Sequence, residues 1–164
     1  MEPTDSIASS VGPTIRRHRS KQDHATPWEF IRAVEDRFGK LNWDLAANKE
    51  NTKAPNFITQ AENSLTYDWN KLDGLLWLNP PFNLIEPWAA KCRWCSVKPG
   101  SRIIFLTPAS VGSMWFAMHV HRHAFVLSLT PRLVFEGSED PYPKDCMLSV
   151  FWGGLNGFDV WKWK

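Results

Sequence analysis

The chain has 164 residues, of which 43% are hydrophobic and 22% are charged, and this composition suits one globular domain with a core of its own. The formal net charge of +2 is too small to indicate a nucleic-acid partner by itself. No apolar run approaches the roughly 18 residues of a membrane-spanning helix, and no secretory apolar region is present, so we expect no membrane partner and a cytoplasmic protein.

Residues 1–24 are polar, lack hydrophobic periodicity and carry a basic cluster from Arg16 to Lys21. We predict a flexible N-terminal arm here and a single domain over residues 25–164. Two interpretations of the basic cluster stay open. It is either the solvated surface of a disordered arm or a set of phosphate contacts, in which case Arg16 and Arg17 would add salt-sensitive affinity that ignores base sequence.

The first predicted helix begins at Thr26-Pro27. Thr26 is a favourable N-cap, Pro27 suits the first helical position, and Glu29 follows the cap by three residues. Apolar residues then recur at helical spacing until Gly39, which favours termination. The pattern predicts a helix of about eleven residues whose buried face carries Phe30, Ile31, Val34 and Phe38.

Strands and helices alternate along the rest of the chain. The predicted strands cover residues 41–47, 75–78, 102–106, 124–129 and 147–152, with a short strand or turn at Phe57-Ile58, and the predicted helices cover residues 85–95 and 111–120. Because Leu75–Leu78 is apolar without alternation, it predicts a strand buried on both faces. The order predicts parallel βαβ units with right-handed crossovers, and the last two strands, joined only by a loop, predict an antiparallel pair at the edge of the sheet.

We therefore predict an α/β fold, an open and mostly parallel sheet of about five to seven strands with helices on both faces. Ligands of such sheets bind beyond the carboxyl ends of the central strands. Three segments fall at predicted strand ends and are the candidates for a site: Asp44–Ala47, Asn79–Phe82 and Thr107–Ser110.

Neither the cysteines nor the histidines form a metal-ligating pattern. The three cysteines are an odd number, which argues against a disulfide framework and fits a reducing compartment. Cys92 and Cys95 have the spacing of a metal or redox pair, but they lie in a predicted helix without a second pair nearby. His119, His121 and His123 alternate as on one face of a strand, without ligands at suitable spacing, so we expect packing or solvent contact and no metal.

The segment Asn79-Pro80-Pro81-Phe82 ends the continuous apolar strand. Each proline disfavours the α region for the residue before it and supplies no N–H, so the chain leaves the strand extended and stiff. The Asn79 side-chain oxygen and the Pro80 carbonyl can then face one pocket as paired acceptors, which suits an exocyclic amino group. Phe82 offers an aromatic face to a flat ring. These features indicate a pocket for a nucleobase or a similar planar amide; a proline-rich turn without a binding role is the alternative.

This segment resembles the Asp/Asn/Ser-Pro-Pro-aromatic signature of amino-methyltransferases. Over roughly residues 24 to 153, further motifs resemble those of the phage DNA N6-adenine methyltransferases, the small Dam-type family. The motifs are Thr26-Pro27-Trp28, Phe38-Gly39, Asp44-Leu45-Ala46-Ala47, Asn51, Phe57-Ile58-Thr59, Asn63-Ser64-Leu65, Asp68-Trp69, Trp77–Phe82, Thr107-Pro108-Ala109, Trp115-Phe116 and Arg132-Leu133-Val134-Phe135. The resemblance implies a Rossmann-like methyltransferase fold and methyl transfer from S-adenosylmethionine to adenine N6 in double-stranded DNA. It also implies protection of phage DNA from host restriction, in the host cytoplasm.

The resemblance makes Asn79, Pro80, Pro81 and Phe82 the catalytic segment. The adenine must be flipped out of the duplex, which takes a few kcal/mol. Stacking on Phe82 would recover part of this, roughly 1–3 kcal/mol per base. Asn79 Oδ1 and the Pro80 carbonyl would accept the two N6 hydrogens and aim the nitrogen lone pair at the methyl group, so positioning is the main contribution and no strong base is required.

The candidate donor-binding residues are Thr26, Pro27, Trp28, Asp44, Ala46, Asn63, Ser64, Leu65 and Asn79. Residues 26–28 resemble the segment that holds the methionine carboxylate, at a helix N-terminus that suits an anion, and residues 63–65 resemble the stretch that meets the donor's adenine. Asp44 suits the methionine ammonium, although it could instead be only a turn cap. The usual Gly-x-Gly after Asp44 is missing, and so is a clear acidic residue for the ribose, for which Asn48, Glu50 or Asn51 could substitute.

DNA contacts are expected from loops on the predicted active face. The candidates are Ser113, Arg132 and Lys144, together with Arg16 and Arg17 of the arm. Each cation could also be an ordinary surface charge. Because no recognition module is visible, target specificity would come from these short loops. We expect a monomer or a weak dimer.

Two other classes of function stay open. The same chemistry serves RNA adenines and protein glutamine amides, since both present a planar amino group, whereas cytosine N4 usually goes with Ser at the first motif position. An inactive DNA-binding or anti-restriction relative is the third possibility, and the missing glycines are its support. The small size, the lack of an appended domain and the Thr-Pro helix favour DNA.

Overall fold

The computed structural model describes residues 24–164. The flexible arm expected over residues 1–24, with its candidate DNA contacts Arg16 and Arg17, lies outside the described residues apart from His24. The domain boundary at residue 25 stays a prediction.

A seven-stranded sheet forms the centre of the domain. In chain order the elements are α1 (Trp28–Phe38), β1 (Leu41–Asp44), β2 (Asn56–Phe57), a 3₁₀ turn (Trp69–Lys71), β3 (Leu75–Leu78), α2 (Glu86–Ser96), β4 (Arg102–Pro108), α3 (Met114–His119), β5 (Phe125–Thr130), β6 (Cys146–Trp152) and β7 (Gly157–Lys162). The order across the sheet is β2-β1-β3-β4-β6-β5-β7, and neighbours are parallel except on the two sides of β6. The predicted α/β class with a mostly parallel sheet is confirmed.

The predicted edge position of the last antiparallel pair is wrong. β5 and β6 do pair antiparallel, but β6 inserts between β4 and β5, and β7 lies outside β5 as the edge strand. The first six of the seven residues of β6 are buried, as a strand in the middle of a sheet covered on both faces requires. The sequence analysis does not predict β7, five of whose six residues are exposed.

Helices cover both faces of the sheet, as expected. Along β3, Leu75 and Trp77 pack into the cluster that contains the apolar face of α1, whereas Leu76 and Leu78 pack into the cluster that contains residues of α2. Alternate side chains of one strand therefore serve two cores, which explains its continuous apolar run. The run ends at Asn79, which is thereby positioned at the carboxyl edge of the sheet.

The start of α1 differs from its prediction in a way that affects the site. Pro27 holds the N-cap position, no side chain caps the helix, and the Pro27 carbonyl accepts from the N–H groups of Phe30 and Ile31 at 3.0 and 3.1 Å. The N-cap role predicted for Thr26 is therefore wrong, and its hydroxyl bonds instead to a side chain beyond β3. The helix ends before Gly39, as predicted; the backbone φ of this glycine is 102°, a value that side chains disfavour.

Two further local predictions are corrected. α3 is shorter than residues 111–120, because Ser113 caps it, with Oγ accepting from the Phe116 N–H at 3.4 Å. The three alternating histidines do not share a strand face, since His119 ends α3 while His121 and His123 lie in the turn before β5. Within residues 24–164, no helix combines the length and the hydropathy needed to cross a membrane.

Candidate active site

Two adjoining cavities open at the carboxyl edge of the sheet. The main cavity, of about 640 Å³, is lined by Asp44 and Asn79 at the ends of β1 and β3. The second cavity, of about 470 Å³, is lined by Pro108 at the end of β4 and by the loop before β6. Three residues line both cavities, and they are His24, Phe82 and Asn83. Both volumes lie in the range of small-molecule sites, roughly 300–1,000 Å³.

Most of the predicted donor-binding and catalytic residues meet in the main cavity. Those that line it are Thr26, Asp44, Ala46, Asn63, Ser64, Asn79, Pro80, Pro81 and Phe82. Pro27, Trp28 and Leu65 are not among the described residues that line it, and Trp28 is 49% exposed. Lys53 and Trp88 also line the main cavity; no motif or spacing signals them, because only folding brings them there.

The Asn79 side chain is held in one orientation. Its Nδ2 donates to the His24 carbonyl oxygen at 2.7 Å and to Thr26 Oγ1 at 3.0 Å. A carbonyl oxygen only accepts hydrogen bonds, so the amide nitrogen, and not the amide oxygen, must face His24. Because both amide hydrogens are used, Oδ1 is the polar atom that Asn79 can offer to a ligand of the main cavity.

The two prolines after Asn79 add no hydrogen-bond donor to this wall. Pro80 is buried and Pro81 is exposed, and both line the main cavity. Since proline has a carbonyl but no N–H, this stretch of backbone can only accept. Asn79 Oδ1 and the Pro80 carbonyl thus make the end of β3 suited to a ligand that brings two hydrogens on one nitrogen.

The Phe82 ring belongs to a cluster of four aromatic side chains. Its centroid lies 6.0 Å from that of His24, 6.2 Å from Phe135 and 5.8 Å from Tyr142, and the last two contacts are edge-to-face. Phe135 and Tyr142 come from the loop between β5 and β6, so the ring of Phe82 is packed by two segments distant in sequence. Phe82 is only half-buried, and its remaining surface lines the two cavities. Such a restrained ring is suited to stacking against a flat ligand.

Asp44 is a buried carboxylate, 3% exposed, at the end of β1. Its Oδ2 accepts from the Lys53 N–H at 3.0 Å and its Oδ1 from the Ala46 N–H at 3.4 Å. Burial raises its pKa from 3.8 to about 6, against the opposing effect of these two hydrogen bonds and of the Lys53 charge. A cationic ligand would stabilise this buried carboxylate, because attraction between the opposite charges compensates for the hydration that the carboxylate loses on burial.

Lys53 is one of the residues of this site that the sequence analysis misses. Its side chain is 4% exposed, and its ammonium pairs with Glu136 at 2.8 Å and lies 4.6 Å from the centre of the Trp28 ring. The Glu136 N–H also donates to the carbonyl of Ala25 at 2.9 Å. These contacts join the loop after β5, the segment before α1 and the wall that holds Asp44 into one structure.

Asn63 and Ser64, from the segment before the 3₁₀ turn, also line the main cavity. Ser64 is buried and its Oγ accepts from Trp69 Nε1 at 3.1 Å, which leaves the hydroxyl proton for a ligand. Leu65 contributes through its backbone, since its carbonyl accepts from Lys91 Nζ at 2.8 Å. The hydrogen bond from Lys91 therefore ties the segment that carries Asn63 and Ser64 to α2.

Asn48 and Asn51, two of the alternatives considered for a ribose, also line the main cavity, and Glu50 does not. Asn51 Oδ1 accepts from the Asn48 N–H at 2.8 Å, and Asn48 Oδ1 accepts from the Asn51 N–H at 3.0 Å. With both oxygens used in one turn, the Nδ2 groups are the donors that these side chains offer.

The candidate DNA contacts within residues 24–164 divide between the second cavity and the surface. Ser113 and Lys144 line the second cavity, together with the aromatic side chains of Trp115 and Tyr142. Arg132 is not among its lining residues and forms an exposed ion pair with Asp145 at 2.7 Å. Ser113 and Lys144 are therefore placed to contact a group that enters the second cavity.

Among the described residues, no three His, Cys, Asp or Glu side chains come together as a metal site would require. Cys92 and Cys95 are both buried on α2, and burial raises the pKa of each thiol. The neutral thiol is neither a good metal ligand nor a good nucleophile.

Comparison with known proteins identifies a family. A family model described as DNA N-6-adenine-methyltransferase (Dam) matches residues 14–146. A DNA N-6-adenine-methyltransferase of Haemophilus phage HP1 is 32% identical over 134 residues, which cover 77% of this chain and 76% of that protein. A protein of the same name from Escherichia phage T1 is 34% identical over 92 residues, 56% of this chain but only 38% of the relative. The matched region includes the main cavity, Asn79 and the loop after β5.

Proposed function

The chain belongs to the DNA N-6-adenine-methyltransferase (Dam) family, and we propose that it transfers the methyl group of S-adenosylmethionine to N6 of an adenine in double-stranded DNA. The observation that carries the proposal is the Asn79 amide, whose nitrogen is bound to His24 and Thr26 so that its oxygen is left as an acceptor at the cavity. An acceptor-only wall beside a restrained aromatic ring fits the exocyclic amino group of a base.

The main cavity has groups that fit the donor. The Asp44 carboxylate would hold the methionine ammonium, and the Ser64 hydroxyl and the Asn48 and Asn51 amides would bind the nucleoside part. S-adenosylmethionine supplies a methyl group on a positively charged sulfur, which needs no further activation. The contribution of the chain is to fix the geometry of this group and to exclude competing water.

The target adenine is proposed to pass through the second cavity and to stack on Phe82. There, Asn79 Oδ1 and the Pro80 carbonyl would accept both N6 hydrogens. Accepting both hydrogens draws the nitrogen lone pair out of conjugation with the ring and aims it at the methyl carbon. The nitrogen would form its bond to the methyl carbon as the carbon–sulfur bond of the donor breaks, and the surplus proton would leave afterwards to solvent. Holding the reactants in line accounts for most of the acceleration.

Contacts to the DNA backbone are proposed for Lys144 and Ser113, which line the second cavity, for the exposed Arg132, and for Arg16 and Arg17, which lie outside the described residues. The cost of base flipping, a few kcal/mol, would be offset by these contacts and by stacking on Phe82. Methylation of the target adenines would protect phage DNA from host restriction enzymes, which is the biological role that we propose.

The test is a methylation assay with radiolabelled S-adenosylmethionine on duplex DNA, RNA and protein. We expect label in adenine N6 of duplex DNA, and digestion of the product with adenine-sensitive restriction enzymes then identifies the target site. Label in RNA or in glutamine amides alone would replace the DNA proposal by the corresponding alternative. Binding of DNA without transfer to any substrate would indicate an inactive relative.

A further inference from the structure

The segment before α1 reaches across the fold to a single side chain. His24 and Thr26 are 55 and 53 residues away from Asn79 in sequence, and both of their bonds to Asn79 end on the same nitrogen. Thr26 is 1% exposed, so its hydroxyl bonds in a site from which bulk water is excluded. This arrangement explains why Thr26 does not cap α1, although its type and position predict a cap.

We propose that Thr26 is a positioning residue that sets the orientation of the Asn79 amide, and that together with the His24 carbonyl it makes an amide, and not a carboxylate, obligatory at position 79. The proposal rests on the function proposed above for Asn79. Two hydrogen bonds support it. The His24 carbonyl oxygen can only accept from Nδ2, and Thr26 Oγ1 also accepts from Nδ2.

A carboxylate at position 79 would have the same shape but the wrong polarity. An oxygen would take the place of Nδ2, 2.7 Å from the His24 carbonyl oxygen, and two oxygens without a hydrogen between them repel. The carboxylate must then rotate away, displace the segment before α1, or take up a proton that it donates to His24. The first two outcomes move the second oxygen away from the position where it accepts from the substrate.

Thr26 also lines the main cavity, so an alternative role in holding the donor must be distinguished. A residue that holds the donor changes donor affinity when it is removed. A residue that orients Asn79 changes kcat and leaves donor affinity alone. Measuring kcat and donor affinity for the same variants therefore distinguishes the two roles.

The first experiment compares Thr26→Val, which keeps the shape and removes the hydroxyl, with Thr26→Ser, which keeps the hydroxyl. We expect T26V to lower kcat by roughly tenfold or more, since a small misplacement of a positioned group can cost 10²-fold, while the donor dissociation constant from calorimetry changes less than about threefold. T26S is expected to retain most of the kcat. A T26V enzyme with wild-type kcat, or one that loses donor affinity in proportion to rate, overturns the proposal.

Ser149→Ala is the matched control. Ser149 is fully buried on β6, and its Oγ has no hydrogen-bond partner in the described part of the chain, so removing this hydroxyl breaks no bond. We expect S149A to fold and to turn over like the wild type. If S149A lost as much kcat as T26V, general sensitivity to the loss of a buried hydroxyl would explain both, and the proposal would be overturned.

The second experiment uses Asn79→Asp, which replaces the amide by an acceptor-rich group that the amino-methyltransferase signature itself allows. We expect a loss of roughly 10²-fold in kcat at pH 8, because the group is turned from its place. The activity of N79D relative to the wild type should rise as the pH falls, because only the protonated carboxyl can donate to His24. Full activity of N79D at pH 8 would overturn the requirement for an amide. Wild-type protein without any methyl transfer would instead overturn the proposed function, so the two failures are distinct.

Discussion

At the scale of single residues, the proposed site depends on two polar groups, the partly buried Asn79 and the buried Asp44. Asn79 offers an oxygen because its nitrogen is used elsewhere, and Asp44 offers a negative charge whose burial raises its pKa to about 6. Neither property belongs to the residue type alone. Each follows from neighbours that are distant in sequence or from burial at the end of a parallel strand.

The first prediction concerns Asn79→Ala, which removes the acceptor and keeps the cavity. We expect methyl transfer to fall by roughly 10²-fold or more, a typical loss when one preorganised group at the reacting centre is removed. The donor affinity should stay within about threefold. Transfer of labelled methyl and calorimetry with S-adenosylmethionine measure the two quantities. Equal turnover by the variant and the wild type would remove Asn79 from the mechanism.

The second prediction is a pH dependence of donor binding. Because the pKa of Asp44 is about 6 in the free protein, the carboxyl is mostly neutral at pH 5 and mostly ionised at pH 7. Only the ionised form attracts an ammonium group, so we expect affinity for S-adenosylmethionine to rise about tenfold between pH 5 and pH 7. In Asp44→Asn the affinity should be lower and should hardly change with pH. A wild-type affinity that is equally flat would exclude Asp44 as the ammonium partner.

Ionisation of Asp44, which we expect to favour donor binding, lowers the stability of the fold. A carboxyl whose pKa is raised on folding binds its proton more tightly in the folded state, so its ionisation destabilises the fold. The free energy of unfolding therefore falls as the pH rises from 3.8 to about 6. The loss approaches roughly 3 kcal/mol above that range, from 1.36 kcal/mol per pKa unit. Binding of a cation beside Asp44 would recover part of this free energy.

At the scale of elements, the site is assembled by segments outside the regular sheet. The strand ends provide Asp44 and Asn79, but the loop between β5 and β6 provides Phe135 and Tyr142 to pack Phe82. The same loop provides Glu136, whose pair with Lys53 lies between the loop and the wall of the main cavity. We therefore expect a change in this loop that weakens the Lys53–Glu136 pair to lower the free energy of unfolding of the domain.

The third prediction concerns Glu136→Gln. The Lys53 side chain is 4% exposed and that of Glu136 40%, so the variant leaves a buried cation with a weaker partner. We expect the free energy of unfolding to fall by roughly 1–2 kcal/mol, less than for a fully buried pair. Glu139→Gln is the control, because Glu139 is an exposed residue of the same loop with no ion pair in the described part of the chain, and it should change this free energy by less than about 0.5 kcal/mol. Urea denaturation measures both, and an equal effect of the two variants would contradict the prediction.

At the scale of the whole molecule, the sheet extends beyond the region matched by the family model. The match ends at Cys146, the first residue of β6, so most of β6 and all of β7 follow it. β7 has a free edge in the described structure, and the side chain of Asp159 accepts from the Val160 N–H at 2.7 Å. A carboxylate at an exposed strand edge opposes pairing with another chain. The expected monomer or weak dimer stays a prediction, which sedimentation can test.

The fourth prediction concerns the residues that follow β7. The Trp163 ring packs edge-to-face on Phe30 of α1 at 5.1 Å, and its Nε1 donates to the Pro131 carbonyl at 2.7 Å. We expect Trp163→Ala to lower the free energy of unfolding by roughly 2–3 kcal/mol, somewhat less than for a fully buried tryptophan. Phe158→Ala is the control, since Phe158 is 61% exposed on β7. Comparable losses in both variants would show that β7 itself, and not the contact with α1, is responsible.

The sequence by itself determines the class of the fold and predicts the candidate site, because both depend on local patterns. Apolar runs and helical spacing predict the parallel strands and α1, and the four residues from Asn79 to Phe82 predict an acceptor-only wall at a strand end. The predicted family is confirmed by the comparisons. These inferences need only the stereochemistry of proline, the period of each element and the motifs themselves.

Only the tertiary structure decided the place of β6, the existence of β7 and the partners of the site residues. Thr26 has the properties of an N-cap in sequence, yet in the fold its hydroxyl binds Asn79, because the segment before α1 crosses the end of β3. Lys53 lacks any motif and becomes part of the cavity through a pair with a residue 83 positions away. Contacts between distant segments depend on how the whole chain packs, and local residue preferences carry no information about them.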